Sequence, residues 1–225
     1  MKSLLLVSAV TAMVSVTAAS ADDADVQSQA RFDWTGEYVG ASIGYGWGNS
    51  KLDYDNSGYF ARLDPSGFAG GIYAGFNRQL ANGVVVGLEG DIQISGVGSS
   101  NVLGYFGGVD LFRRFFSDQE WNAALRARLG YAADRFMPYV AGGLAVARYG
   151  HGETEHPITA FSADATYLGW TAGVGLEFAA TEKLILRAEY RYSDFGSRRF
   201  TPTANYPHVV DLKSSDLRIG VSYKF

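Results

Sequence analysis

From residue 38 onward the chain alternates apolar residues with polar or small ones, a period of two that marks strands with one face in an apolar medium. The C-terminal segment shows it cleanly. Leu217, Ile219, Val221, Tyr223 and Phe225 interleave with Asp216, Arg218, Gly220, Ser222 and Lys224. The same rhythm predicts seven further strands, near 38–47, 68–78, 84–94, 121–131, 139–148, 168–178 and 184–192. In the third, Val84, Val86, Leu88, Ile92 and Ile94 face away from Glu89, Asp91 and Gln93. In the fourth, Trp121, Leu125, Leu129 and Tyr131 face away from Asn122, Arg126 and Arg128. The fifth has alanine and glycine on both faces, and Val140, Leu144 and Val146 are assigned outward. The sixth sets Leu168, Trp170, Val174 and Leu176 against Thr171 and Glu177, and the seventh sets Leu184, Leu186 and Tyr190 against Arg187, Glu189 and Arg191.

The connecting segments sort by length. Those near 50–66, 96–119, 150–164 and 196–214 are long and polar or glycine-rich, and those near 79–83, 132–136 and 179–183 are short. Long and short alternate, so the long ones share one end of the sheet. An apolar C-terminal strand left as an edge would invite aggregation. Eight antiparallel strands with long loops at one end and short turns at the other form instead an all-β, up-and-down transmembrane barrel with a polar inside. Eleven residues rise about 36 Å, and a tilt near 45° gives roughly 25 Å of height. Tyr45, Trp47, Trp121, Tyr190 and Tyr192 then fall at the outer rim, and Phe76, Tyr131, Phe178, Tyr223 and Phe225 at the periplasmic rim. A soluble lipocalin-like barrel would place its apolar residues inside.

Composition supports this reading. The 225 residues include 28 glycines and 14% aromatics but no cysteine, so neither disulfides nor thiol chemistry is available. Acidic residues outnumber basic ones, 23 to 19, which argues against a nucleic-acid partner. Residues 1–21, with Lys2, an apolar stretch and Ala19-Ser20-Ala21, read as a signal peptide. Residues 22–33 read as a short periplasmic tether and 34–225 as the barrel.

The inward positions gather Glu89, Asp91, Glu177, Glu189 and Asp216 with Arg126, Arg128, Arg187, Arg191, Arg218 and Lys224. They lie mainly on strands three, four, seven and eight, whereas strands one, two, five and six offer mostly glycine, alanine and serine. Charged side chains from opposing walls are expected to meet across an interior just wide enough for side chains to fill. A catalytic carboxylate pair is the rival reading; a charge network satisfying a polar core is favoured, because buried charges must be paired. In the loops, His151 and His156 offer imidazoles, but their spacing matches no established metal motif. Arg113 and Arg114, set among Phe112, Phe115 and Phe116, offer a contact patch for lipopolysaccharide phosphates, or simply an upward extension of strand four. No cofactor or metal site is assigned.

Three segments carry a family resemblance: Trp34-Thr-Gly-Glu-Tyr-Val-Gly-Ala-Ser-Ile-Gly-Tyr-Gly-Trp47, Leu186-Arg-Ala-Glu-Tyr-Arg-Tyr192 and Gly220-Val-Ser-Tyr-Lys-Phe225. Together they resemble the small alphaproteobacterial outer-membrane β-barrel proteins, the opacity-type surface antigens related to the OmpA membrane domain and often grouped as porin family. The resemblance implies outer-membrane residence among lipid and lipopolysaccharide, and insertion by the barrel-assembly machinery through Val221, Tyr223 and Phe225. Some relatives bind hemin, but no motif for that maps onto residues here. The expectation is a structural, non-enzymatic outer-membrane barrel that displays surface loops over a plugged lumen. The alternatives are a surface protein binding hemin or a host ligand, and a narrow, low-conductance porin.

Overall fold

A computed structural model describes residues 32–54, 60–63, 65–100, 104–106, 109–111, 113–155, 158–200 and 208–225. Eight long strands run through them: β1 (Gly36–Tyr54), β2 (Ser66–Gln79), β3 (Val84–Ser95), β4 (Arg113–Tyr131), β5 (Phe136–Glu155), β6 (Ile158–Ala179), β7 (Leu184–Phe200) and β8 (His208–Lys224). Each pairs antiparallel with its neighbours in sequence, and β1 pairs with both β2 and β8, so the sheet closes on itself. Closure removes the apolar edge that β8 would otherwise present. The described residues contain no helix.

The short turns are as expected. Leu80 N–H donates to the Val84 carbonyl at 2.7 Å, across a turn in which Gly83 holds a φ of +82°. Ala133 and Phe136 exchange hydrogen bonds of 2.8 and 3.0 Å around Asp134, whose φ is +55°. Aspartate tolerates that left-handed geometry better than most residues. Thr181 Oγ1 accepts from the Lys183 and Leu184 amides at the third turn.

The faces also agree with the alternation. Mid-strand Ile43, Leu125 and Leu144 are 64%, 64% and 63% exposed on the outside, while inward Glu89 and Arg126 are 1% exposed. Val140 and Leu144 of β5 do point outward. Exposure of large aliphatics at mid-strand, with charges inside, is the reverse of a soluble barrel and requires lipid outside. Aromatic contacts mark both rims: Tyr45 with Phe68, Trp47 with Tyr190 and Trp170 with Tyr192 above, Phe136 with Phe178 and Tyr223 with Phe225 below.

The outer segments expected as loops prove to be mostly sheet. β5 and β6 stay paired up to Glu155 and Ile158, through the 150–164 segment. β7 and β8 pair up to Phe200 and His208, and β1 continues to Tyr54 beside Phe60–Leu63. Short strands at Gly98–Ser100, Gly104–Phe106 and Val109–Leu111 occupy part of 96–119. Above the membrane both faces of a strand meet water, so the hydropathy alternation vanishes while backbone pairing persists.

Candidate functional site

The middle of the barrel holds a cross-lumen charge network. Glu89 of β3 is its hub: Oε1 lies 2.6 Å from Arg126 Nη2, and Oε2 lies 2.6 Å from Arg187 Nη2 and 3.4 Å from Arg128 Nη1. Below it, Glu177 of β6 takes Arg128 Nη2 at 2.8 Å and Arg187 Nη2 at 2.6 Å. Above it, Glu189 of β7 takes Arg126 Nη1 at 2.8 Å and Arg191 Nε at 2.9 Å. Asp91 receives Arg191 Nη1 at 2.8 Å and Arg218 Nη1 at 3.4 Å, and Arg218 also pairs with Asp216. The contacts from β7 to β3 and from β4 to β7 span the lumen.

The pairs named above join five carboxylates to five guanidiniums, so the network is formally neutral. Lys224, expected among them, stands apart: its ammonium lies 5.3 Å from the centroid of the Phe32 ring near the periplasmic mouth. It lies near the end of β8, and the aromatic face offers its ammonium a cation–π contact.

The walls expected to offer mostly small residues also carry the inward tyrosines Tyr38, Tyr73 and Tyr139. Tyr38 Oη donates to Glu89 Oε2 at 2.7 Å and accepts from Arg128 Nη1. Tyr139 Oη donates to Glu189 Oε2 at 2.6 Å. The guanidinium of Arg128 stacks 4.2 Å from the Tyr139 ring, and that of Arg187 stacks 4.0 Å from the Tyr73 ring. Each tyrosine faces a glycine on the adjacent strand: Tyr38 opposite Gly75, Tyr73 opposite Gly40, Tyr139 opposite Gly175. A Cβ on Gly75 would stand 2.6 Å from Tyr38 Cζ, and one on Gly175 would stand 2.6 Å from Tyr139 Cε1. Glycine is needed there because the ring occupies the space of its missing side chain. Inward glycines opposite inward tyrosines are the sequence signal for this layer.

Two further layers lie at the ends. At the periplasmic mouth Phe32 and Trp34 pack with Val85, Met137, Ala179 and Ile185, and Trp34 is 1% exposed. Trp34 N–H donates to Gln79 Oε1 at 2.9 Å, and its indole donates to the Asp134 carbonyl at 3.1 Å. Phe32, expected as tether, therefore belongs to the packed barrel; residues 1–31 lie outside the described ones. The signal was present in Val84-Val85-Val86 and Leu184-Ile185-Leu186, where both faces turn apolar at the strand base. At the outer end Val97, Tyr149, Tyr167, Phe195 and Leu212 are buried, with ring contacts of 5.7 Å between Tyr149 and Tyr167 and 6.1 Å between Tyr149 and Phe195. Beside Gln93, Ser193, Asp216 and Arg218 a cavity of about 30 Å³ remains, room for roughly one water.

Of the loop candidates, Arg113 and Arg114 open β4 and His151 lies in the upper part of β5, so the upward extension of strand four is what the backbone shows. His156 lies outside the described residues. Val221, Tyr223 and Phe225 lie on the lipid face, 42%, 43% and 71% exposed. Among the described residues no group of three or more His, Asp or Glu is arranged to hold a metal ion.

Comparison with known proteins places this architecture. The family model described as outer membrane protein beta-barrel domain matches residues 5–225. The 31 kDa outer-membrane immunogenic protein of Brucella melitensis is 36% identical over 245 residues, covering 100% of both chains. Among solved structures, the outer membrane protein OprG of Pseudomonas aeruginosa covers 86% of this chain and 97% of its own at 14% identity and a TM-score of 0.54. The outer membrane protease OmpT of Escherichia coli covers 84% and 97% at 11% identity and a TM-score of 0.55. At those identities the structural likeness speaks for the fold alone. A closed eight-stranded barrel with lipid-facing aliphatics, an end-to-end family match and an end-to-end immunogenic relative converge: the chain belongs to the outer-membrane β-barrel protein family, and its place is the outer membrane.

Proposed function

We propose that this protein is a structural, non-enzymatic outer-membrane barrel whose lumen is closed by its own side chains and whose outer strands are displayed at the cell surface. The observation that carries this reading is the neutral five-carboxylate, five-guanidinium network across the lumen, flanked by an apolar layer at each mouth. A solute would have to part ion pairs that are almost wholly buried, and an unpaired buried charge is costly. The carboxylates Glu89, Asp91, Glu177 and Glu189 each face a guanidinium, which leaves none of them placed to take a substrate proton. The protease neighbour shares only the fold, and a fold does not carry chemistry.

On this reading the barrel-assembly machinery recognises β8 through the outward row Val221, Tyr223 and Phe225, and lipopolysaccharide surrounds the outer girdle. Liposome swelling tests the proposal. Proteoliposomes holding the folded protein should shrink and stay shrunken in arabinose as protein-free ones do. Re-swelling that rises with protein content would reject the closed lumen in favour of a porin.

A further inference from the structure

A second cavity lies at the base of the barrel, between the β2–β3 and β4–β5 turns. It encloses about 180 Å³, room for a small polar group rather than a single water, and its lining includes Phe32, Gln79, Asn82, Gly83, Tyr131 and Asp134. The two turns are tied together. Ala132 N–H donates to the Gly83 carbonyl at 2.8 Å, and Trp34 bonds to both sides, its N–H to Gln79 Oε1 and its indole to the Asp134 carbonyl. The frame is therefore formed before any ligand arrives.

Those bonds leave a particular set of groups over. Gln79 spends its amide oxygen on Trp34, and Asn82 Oδ1 accepts from the Val84 N–H at 3.2 Å. Among the described residues, nothing pairs with the Asp134 carboxylate or with the amide nitrogens of Gln79 and Asn82. One carboxylate is too few for a metal ion. A carboxylate beside two amide donors suits a ligand that carries an ammonium and an anionic oxygen together.

The level of the cavity says which ligand that is. Tyr131 belongs to the periplasmic girdle, and its ring packs against the turn where a Cβ on Gly83 would stand 3.3 Å from Tyr131 Cε2. Leu80 and Val86 are exposed on the same outward face, so the cavity sits where acyl chains give way to headgroups. Arg78, outward between Phe76 and Leu80, is exposed and has no carboxylate partner among the described residues, which favours phosphate beside the cavity. We propose that this cavity holds the headgroup of a phospholipid bearing a primary ammonium, with Asp134 accepting from the ammonium and the Gln79 and Asn82 amides donating to the phosphate. The site depends on the barrel standing in the outer membrane, but not on the lumen being closed.

Native mass spectrometry of the folded protein, released from micelles holding equal amounts of phosphatidylethanolamine, phosphatidylcholine and phosphatidylglycerol, tests this. The choline headgroup has no N–H to donate and the glycerol headgroup has no cation, so phosphatidylethanolamine should be retained about tenfold over either. Asp134→Asn keeps a residue that tolerates the left-handed backbone and should abolish that preference. Asn82→Asp keeps the acceptor for Val84 N–H but sets a charge against the phosphate, and should weaken retention with heat-modifiable gel migration unchanged. Glu37→Gln, at an exposed carboxylate on the same rim, should change nothing. Equal retention of the three lipids would overturn the proposal. So would an equal loss in Glu37→Gln, which would mark diffuse attraction, or displacement of the lipid by soluble phosphoethanolamine at matched concentration, which would make a free metabolite the ligand.

Discussion

Glu89 meets Arg126, Arg128 and Arg187 inside the barrel, and each of the four is at most 7% exposed. Glu89→Gln keeps the shape but removes the charge, leaving guanidiniums under-compensated in a dry interior. The expected cost is about 3–5 kcal/mol, read as a lower urea midpoint for unfolding from lipid vesicles. Glu182→Gln makes the contrast: its pair with Arg135 at 2.9 Å is open to water, and the expected change is about 0–1 kcal/mol. The tyrosine–glycine pairs give a second test. Gly175→Ala drives a methyl into the Tyr139 ring and should cost about 1–3 kcal/mol, an overpacking penalty. Combined with Tyr139→Leu the two costs should fall short of additivity, which a double-mutant cycle in the same unfolding assay measures. Full additivity would mean that the ring does not need the glycine.

Within each strand, what the lipid touches was legible in the sequence. The rhythm of Val84, Val86, Leu88, Ile92 and Ile94 gives the outward face of β3 because hydrocarbon demands an apolar residue at every second position. Leu125→Arg, at mid-height, should therefore cost about 2–4 kcal/mol, whereas Ile94→Arg, near the outer rim, should cost about 0–1 kcal/mol. Equal costs would misplace the membrane. The paired extensions of β5 and β6 were illegible because water on both faces imposes no alternation. The charged lumen residues were legible by type and face, but not their partners, since register across a closed barrel is set by the whole sheet. Lys224 shows this: its face was read correctly and its neighbour, Phe32, was not. The periplasmic stopper was missed because Phe32 lies in a segment with no rhythm of its own. Trp34→Ala should cost about 3–5 kcal/mol, as a large aromatic removed from a packed cluster does. A loss below about 1 kcal/mol, the level of a surface change, would show that the segment does not cap the barrel.

At the scale of the molecule the interior holds three layers in series: aromatic at the outer mouth, ionic in the middle, apolar at the periplasmic mouth. They are built from different residues, so breaching one leaves the others in place. On the proposed function the barrel serves as a closed scaffold that holds the long strands β5 and β6 paired up to Glu155 and Ile158. The five arginines of the lumen are each held by at least one carboxylate, and three stack on or hydrogen-bond to tyrosine or glutamate from another wall. The most direct test is conductance across a planar lipid bilayer into which the folded, heat-modifiable protein has been incorporated. The expected result is insertion without current steps above the bare-membrane baseline; stable ohmic steps that scale with salt concentration would contradict the closed lumen.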